Sequence, residues 1–371
     1  MDSRPKKNRS AASAPVASGV QGSDLSDLGD VVAFQSALTE WFRAEGRDYP
    51  WRRTRDPYAI LVSEAMLQQT QIATVLGRGY YSRWMEAFPG WKELAAASEE
   101  EILKQWEGLG YYNRARNLRK AASIVSTEHG GRAPDCLDTL LSLPGVGRYT
   151  AGAVMSFAFN KRAAIVDGNV SRVFSRLFAC PEPIDTPAGL RLAWERAEAL
   201  TPESEVRLYN SAVMELGQRI CTRQSPSCGI CPVSRWCRAR REGEETAYPV
   251  KKGGKVITAR EEMVLLAVRG GKVWLCAESG TRRKGLWRLP ELAEEEASDL
   301  VEIFRFDYAI TRYRVTLRVF LSAAGPDPLV GGAEAGWFSL ASERNLPPLG
   351  SPYRRVLRKF SENHEDLIMN G

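Results

Sequence analysis

Cys221, Cys228, Cys231 and Cys237 stand within 17 positions, in "CTRQSPSCGICPVSRWC", with six, two and five residues between them. Four thiols at this spacing can converge on one centre, and the surrounding chain must then fold around it. The sequence has seven cysteines, an odd number, and this crowding argues for a metal site in a reducing compartment over a disulfide framework. Zinc and a four-iron cluster both accept four thiolates. Zinc ribbons usually repeat the two-residue gap in a second pair, which is missing here, so spacing favours the cluster and leaves zinc as the competitor.

Upstream of this loop, from about Val31 to Arg241, large apolar residues recur three and four apart, in "PYAILVSEAML", "EEEILKQWEGLG", "YTAGAVMSFAF" and "RLAWERAEAL". The period is helical. Asp56 before Pro57, and Ser98 three residues before Glu101, are helix-start signals. The expected organisation is a disordered basic tail over 1–30, a helical domain over 31–245, a linker over 246–258 and a second domain over 259–371. In the last of these, Gly270-Gly271 reads as a hairpin turn. "RVTLRVFL" alternates Val315, Leu317, Val319 and Leu321 with polar residues, and "PYRRVLRKF" closes the chain as a helix, an α+β pattern. No run approaches the ~18 apolar residues of a membrane helix, so no membrane partner is expected. A net charge of +6 is compatible with a polyanion.

Three further stretches carry chemistry. "LPGVGRYTAGAV" sets Gly145 and Gly147 before an alanine-rich helix, which presents backbone amides to an anion. Arg148 and Tyr149 follow Gly147, so the Gly-Lys-Ser/Thr of a nucleotide P-loop is absent, and the dinucleotide fingerprint also fails on its offsets. Glu64 is a single acid among Ile60, Leu61, Ala65, Met66 and Leu67; burial there would raise its pKa, as a general acid requires. Asp167 follows Ala164, Ile165 and Val166 and precedes Gly168, a position from which it can cap the next helix.

Taken together, the cysteine spacing, "LPGVGRYTAG" and "VDGNV" resemble the endonuclease III superfamily of DNA glycosylases. "SEAMLQQTQ", "GLGYYNRARNL", "LPGVGRYTAGAV" and "VDGNV", in that order over roughly residues 31 to 241, are similar to the MutY-type adenine DNA glycosylases. The resemblance implies a mainly α helix-hairpin-helix glycosylase domain with an iron–sulfur cluster loop, followed by an α+β Nudix-like domain. It implies one 4Fe-4S cluster on the four cysteines. Glu64 would protonate adenine, Asp167 would steady the sugar cation, and Tyr149 stands where the lyase branch has a Schiff-base lysine. Trp51, Arg52, Leu67, Gln69, Tyr111, Asn169 and Ser211 would contact the substrate; Ser211 departs from the family's Gln or Glu. Leu143, Gly145, Val146 and Gly147 of the hairpin, with Arg114 and Arg116, would meet DNA.

The implied activity is monofunctional hydrolysis of the N-glycosidic bond of adenine opposite 8-oxoguanine or guanine in double-stranded DNA. The enzyme would be a monomer in the cytoplasm, on the nucleoid in a bacterium. "GLWRLPEL" resembles a Nudix signature, without that hydrolase's box of spaced glutamates. Ile310, Thr311 and Arg312 fall where many relatives have Phe-Ser-His for the lesion. Two alternatives stand beside this reading: a glycosylase/lyase for oxidised pyrimidines, and a non-catalytic DNA-binding metal-site protein.

Overall fold

The computed structural model describes residue 25 and residues 28–253, 256–280, 283–310, 312–322, 334–342 and 345–363. Nearly all of the expected tail, and Thr311, lie outside the described residues.

The first lobe of the helical body runs through α1 (Val31–Glu45), α2 (Pro50–Arg53), α3 (Pro57–Leu67), α4 (Ile72–Gly77), α5 (Tyr80–Ala87), α6 (Trp91–Ala96), α7 (Glu99–Trp106), α8 (Asn113–Glu128), α9 (Leu137–Ser142) and α10 (Arg148–Phe157). The second adds α11 (Gly168–Leu177), α12 (Pro187–Leu200), α13 (Val206–Arg219) and α14 (Arg238–Glu242). Local chemistry starts the helices where the sequence marks them. Asp56 Oδ1 accepts from Tyr58 N at 3.0 Å to open α3, and Ser98 and Glu101 form a reciprocal capping box on α7. Two separate cores follow. Tyr58, Trp84, Trp106 and Val154 belong to one; α1 crosses back to join the other, which Phe174, Trp194, Leu216 and Trp236 help to fill beside the cysteine loop.

The expected linker is fastened to the helical body over its first half: Tyr248 O accepts from Arg176 Nε at 3.0 Å and Val250 O from Ile184 N at 3.1 Å. Beyond it, β1 (Thr258–Arg269), β2 (Lys272–Ala277), β3 (Trp287–Arg288), β4 (Val301–Ile310), β5 (Tyr313–Ser322) and β6 (Ala335–Ser339) form a sheet in the order β3-β2-β1-β5-β4, with β6 on β2. The β1–β2 hairpin turns on Gly270 and Gly271, with φ of 53° and 64°. Both central residues are left-handed, as a two-residue turn of this kind requires. Two short helices, α15 (Glu294–Ala297) and α16 (Ser351–Asn363), complete this α+β domain, and α16 buries Tyr353, Val356, Leu357 and Phe360 against the sheet.

The domains are joined by more than the connecting chain. Leu286 is completely buried in the first helical core. Tyr112 OH donates to Leu349 O at 3.1 Å, Lys104 Nζ donates to Leu346 O at 2.5 Å, and Arg354 pairs with the half-buried Glu107. No helix among the described residues is long and apolar enough to cross a membrane.

Candidate active site

Every residue of α3 from Tyr58 to Met66 is buried, so this helix runs through the body and carries Glu64 with it. Glu64 Oε2 accepts from Tyr149 OH at 2.8 Å, near the start of α10. Burial pushes the Glu64 carboxyl up to about 7, and the charge of Asp167 adds to that; the tyrosine hydroxyl and Arg52 pull the other way. A carboxyl with this value still holds its proton at neutral pH in a useful fraction of molecules. Asp167 caps α11: Oδ1 accepts from Val170 N at 2.7 Å and Oδ2 from Asn169 Nδ2 at 2.9 Å. Burial raises its pKa too, while these two donors and the helix N-terminus favour its anion. The two acids therefore sit in one electrostatic neighbourhood with opposite hydrogen-bond shells, one sparse and one full.

Asn169 is itself held. Its Oδ1 accepts from Arg172 Nη2 at 2.8 Å, and Arg172 also donates to Gly217 O at 2.7 Å and Cys221 O at 2.8 Å. One turn further on, Arg176 is 1% exposed and donates to Cys221 Sγ at 3.3 Å, Thr222 O at 2.6 Å and Arg223 O at 2.9 Å. A buried guanidinium against a sulfur fits a negatively charged thiolate centre. As bare thiols Cys228 and Cys231 would be protonated, since burial pushes Cys228 up to about 11 and Cys231 up to about 12. Among the described residues no three His, Cys, Asp or Glu side chains close on a point at single-ion distance. Cys221, Cys228 and Cys237 act electrostatically on Cys231, so the four thiols share one neighbourhood, as a common metal centre requires.

The residues expected to fill the gap left by an extruded base have unusual backbones. Gln69 (φ 60°) and Tyr111 (φ 46°) are both left-handed and both exposed. Non-glycine residues are uncommon in that region and cost of order 1–3 kcal/mol there unless the surroundings enforce it. Arg114 enforces it: Nη1 donates to Ala65 O (2.6 Å), Met66 O (3.2 Å) and Gln68 O (2.6 Å), and Nη2 to Leu109 O (2.9 Å) and Gly110 O (3.0 Å). The Arg114 guanidinium thus ties the Gln69 turn to the Tyr111 turn from within, and the contact with DNA expected of it stays an expectation. Arg116 pairs with Glu99 at 2.7 Å and donates to Asn113 and to Lys284 O of the sheet domain; its expected contact with DNA likewise stays an expectation.

In the hairpin between α9 and α10, Leu143 and Val146 are buried anchors, while Gly145 and Gly147 are exposed. Gly145 has φ 78°, and a Cβ there would lie 2.6 Å from Asn117 Cβ, so no other residue fits. The unbonded amides that begin α10 remain for an anion.

Trp51, Arg52, Leu67 and Ser211 line one cavity with Glu64, together with Tyr49, Phe157, Arg207, Met214 and Gln218. It holds about 40 Å³, room for a few waters. A purine needs it wider, and Leu67 and Met214 are the flexible side chains in its wall. Glu215, which the sequence reading passed over, is fully buried behind this wall; it accepts from Arg52 at 2.5 Å, Arg47 N at 3.2 Å and Arg219 at 3.3 Å. Its placement beside Ser211 in "YNSAVMELG" was the available signal, but two of its three partners, Arg47 and Arg52, come from the other end of the domain. Tyr111 and Ile310 line a second cavity of about 660 Å³ between the domains, with Arg283, Tyr308 and Arg355. Arg312 donates to the Tyr313 hydroxyl at 2.9 Å, and the part in lesion recognition expected of it stays an expectation. Thr311 lies outside the described residues.

A helix-hairpin-helix beside one buried and one half-buried carboxylate, followed by a cluster loop, is the arrangement of a base-excision DNA repair protein. Residues 62–198 match the HhH-GPD superfamily of base excision DNA repair proteins, and residues 221–237 match the iron–sulfur binding domain of endonuclease III. The adenine DNA glycosylase of Mycolicibacterium smegmatis is 42% identical over 207 residues, which is 56% of this chain and 69% of that protein. The mouse adenine DNA glycosylase is 46% identical over 238 residues, 61% of this chain and 46% of its own. A thermostable thymine-DNA glycosylase of known structure aligns with a TM-score of 0.52 at 34% identity, over 57% of this chain and 97% of that one. The chain belongs to the helix-hairpin-helix superfamily of base excision repair proteins and, within it, to the family of adenine DNA glycosylases; it carries that family's iron–sulfur loop. It spans less than half the length of the mammalian relatives it matches.

Proposed function

We propose that this protein hydrolyses the N-glycosidic bond of adenine opposite 8-oxoguanine, and of adenine opposite guanine, in duplex DNA, acting as a monomer. A base in a duplex is out of reach, so the nucleotide is extruded, with Gln69 and Tyr111 wedging the gap and the hairpin amides gripping the backbone. Glu64 donates its proton to N7 of the extruded purine. The N9–C1′ bond breaks with its electron pair passing to the base, which leaves as a neutral tautomer. Asp167, anionic at the mouth of α11, steadies the sugar cation; water adds at C1′ and its proton returns to the Glu64 carboxylate. The logic is that of paired-carboxylate glycoside hydrolysis. Cys221, Cys228, Cys231 and Cys237 would hold the iron–sulfur cluster, which when bound would pin their loop.

The observation that carries this reading is Glu64 itself, buried, lifted to about 7, and bonded on one oxygen by Tyr149. Tyr149 also speaks against the lyase alternative, because a phenol forms no Schiff base. The test uses purified protein and duplexes holding A opposite 8-oxoguanine, A opposite G and A opposite T. Expected is strand cleavage of the first two only after alkali and none of the third. Cleavage without alkali, or excision of oxidised pyrimidines alone, would overturn the reading in favour of the lyase.

A further inference from the structure

Excision explains Glu64 and Asp167 but leaves open what recognises the base, since Ser211 offers only a short hydroxyl. One wall of the Glu64 cavity is a stripe of α13: Arg207, Ser211, Met214 and Gln218, four, three and four residues apart, all line it. Most of the polar side chains around that cavity are already engaged. Arg52 is held by Glu215 and Arg47 O. Arg207 donates to Phe157 O, Arg52 O and Thr54 O. Ser63 donates to Ile60 O at 2.8 Å. The two arginines have no acceptor to offer in any case. Gln218 is different: it is half-buried, and none of the hydrogen bonds among the described residues uses its carboxamide.

A carboxamide presents a donor beside an acceptor, and adenine presents the complementary pair on its N6/N1 and N6/N7 edges. With N7 taken by the Glu64 proton, the N6/N1 edge is the one left to the α13 stripe. We propose that Gln218 is the specificity-determining residue of this site: its carbonyl oxygen accepts from the adenine N6 amine and its amide nitrogen donates to N1. This rests on the adenine-excision reading above. It gives the amide of α13, one stripe position beyond Ser211 and Met214, the task of naming the base. The hydroxyl of Ser211 is left to a bridging water.

The test compares single-turnover excision of adenine and of unsubstituted purine, which lacks the N6 amine, both opposite 8-oxoguanine. Wild type is measured beside Gln218→Ala and Gln218→Met, the latter close in shape and without the amide; melting temperatures establish that both variants are folded. Expected is a loss of about 10- to 100-fold on adenine in both variants, and about threefold or less on purine. Equal losses on the two substrates, or no loss on adenine, would overturn the assignment of Gln218. A wild-type protein that excises neither base would instead overturn the functional reading on which it rests.

Discussion

Two glutamates in this molecule lie against tyrosine hydroxyls, and they are put to opposite uses. In the sheet domain, Glu262 on β1 receives a hydroxyl on each oxygen, from Tyr308 on β4 at 2.5 Å and from Tyr353 on α16. In the helical domain, Glu64 receives one, from Tyr149, and no hydrogen bond of the described residues reaches its second oxygen, although the group is 5% exposed. Glu262 is a complete joint between strand, strand and helix. Glu64 is an incomplete one beside a cavity: burial lifts its carboxyl, and its single donor offsets that only in part. Depth supplies the proton, and the sparse set of donors preserves it.

The strongest way to break this contrast is to make both acids amides. Glu64→Gln keeps an acceptor for Tyr149 and loses the transferable proton, so single-turnover excision should fall by about 10³-fold while duplex binding persists. The same variant should gain stability. The folded carboxyl titrates near 7 against an ordinary value of 4.5. The wild type therefore binds more protons folded than unfolded between those values and loses stability as pH rises through them. The loss is complete above 7, and at about 1.4 kcal/mol per unit it amounts to roughly 3 kcal/mol. Thermal melting should thus favour Glu64→Gln at pH above 7 and show little difference at pH below 4.5; a variant less stable at both would contradict the account. Glu262→Gln should behave in the reverse sense, costing about 1–3 kcal/mol by weakening two charge-assisted bonds and leaving excision from bound duplex within about twofold. Melting curves and the same excision assay decide it.

The contrast was only half legible in the sequence. Glu64 stands out because it interrupts an apolar run that must be buried as a helix, and the cysteine loop and glycine hairpin are legible because their chemistry needs fixed local spacing. Glu262, in "REEMVLL", looks like a solvated acid, since its partners arrive from β4 and α16, 46 and 91 residues away. The internal tie made by Arg114 is hidden for the same reason: its acceptors are backbone carbonyls at two turns, and no side chain in the sequence announces them. Glu215 pairs with Arg52 across 163 residues, a contact visible only once α13 lies against α2. The parallel pairing of β1 with β5 likewise joins segments about fifty residues apart, beyond what alternation along one strand can reveal.

The most direct test of the central claim, a shielded carboxyl that holds its proton near neutrality, is the pH dependence of single-turnover excision from pre-bound A:8-oxoguanine duplex, from about pH 6 to about pH 9. The account predicts a rate that falls as pH rises through about 7, approaching tenfold per unit above it, as Glu64 ionises. A rate that stays level or climbs across that interval would contradict it.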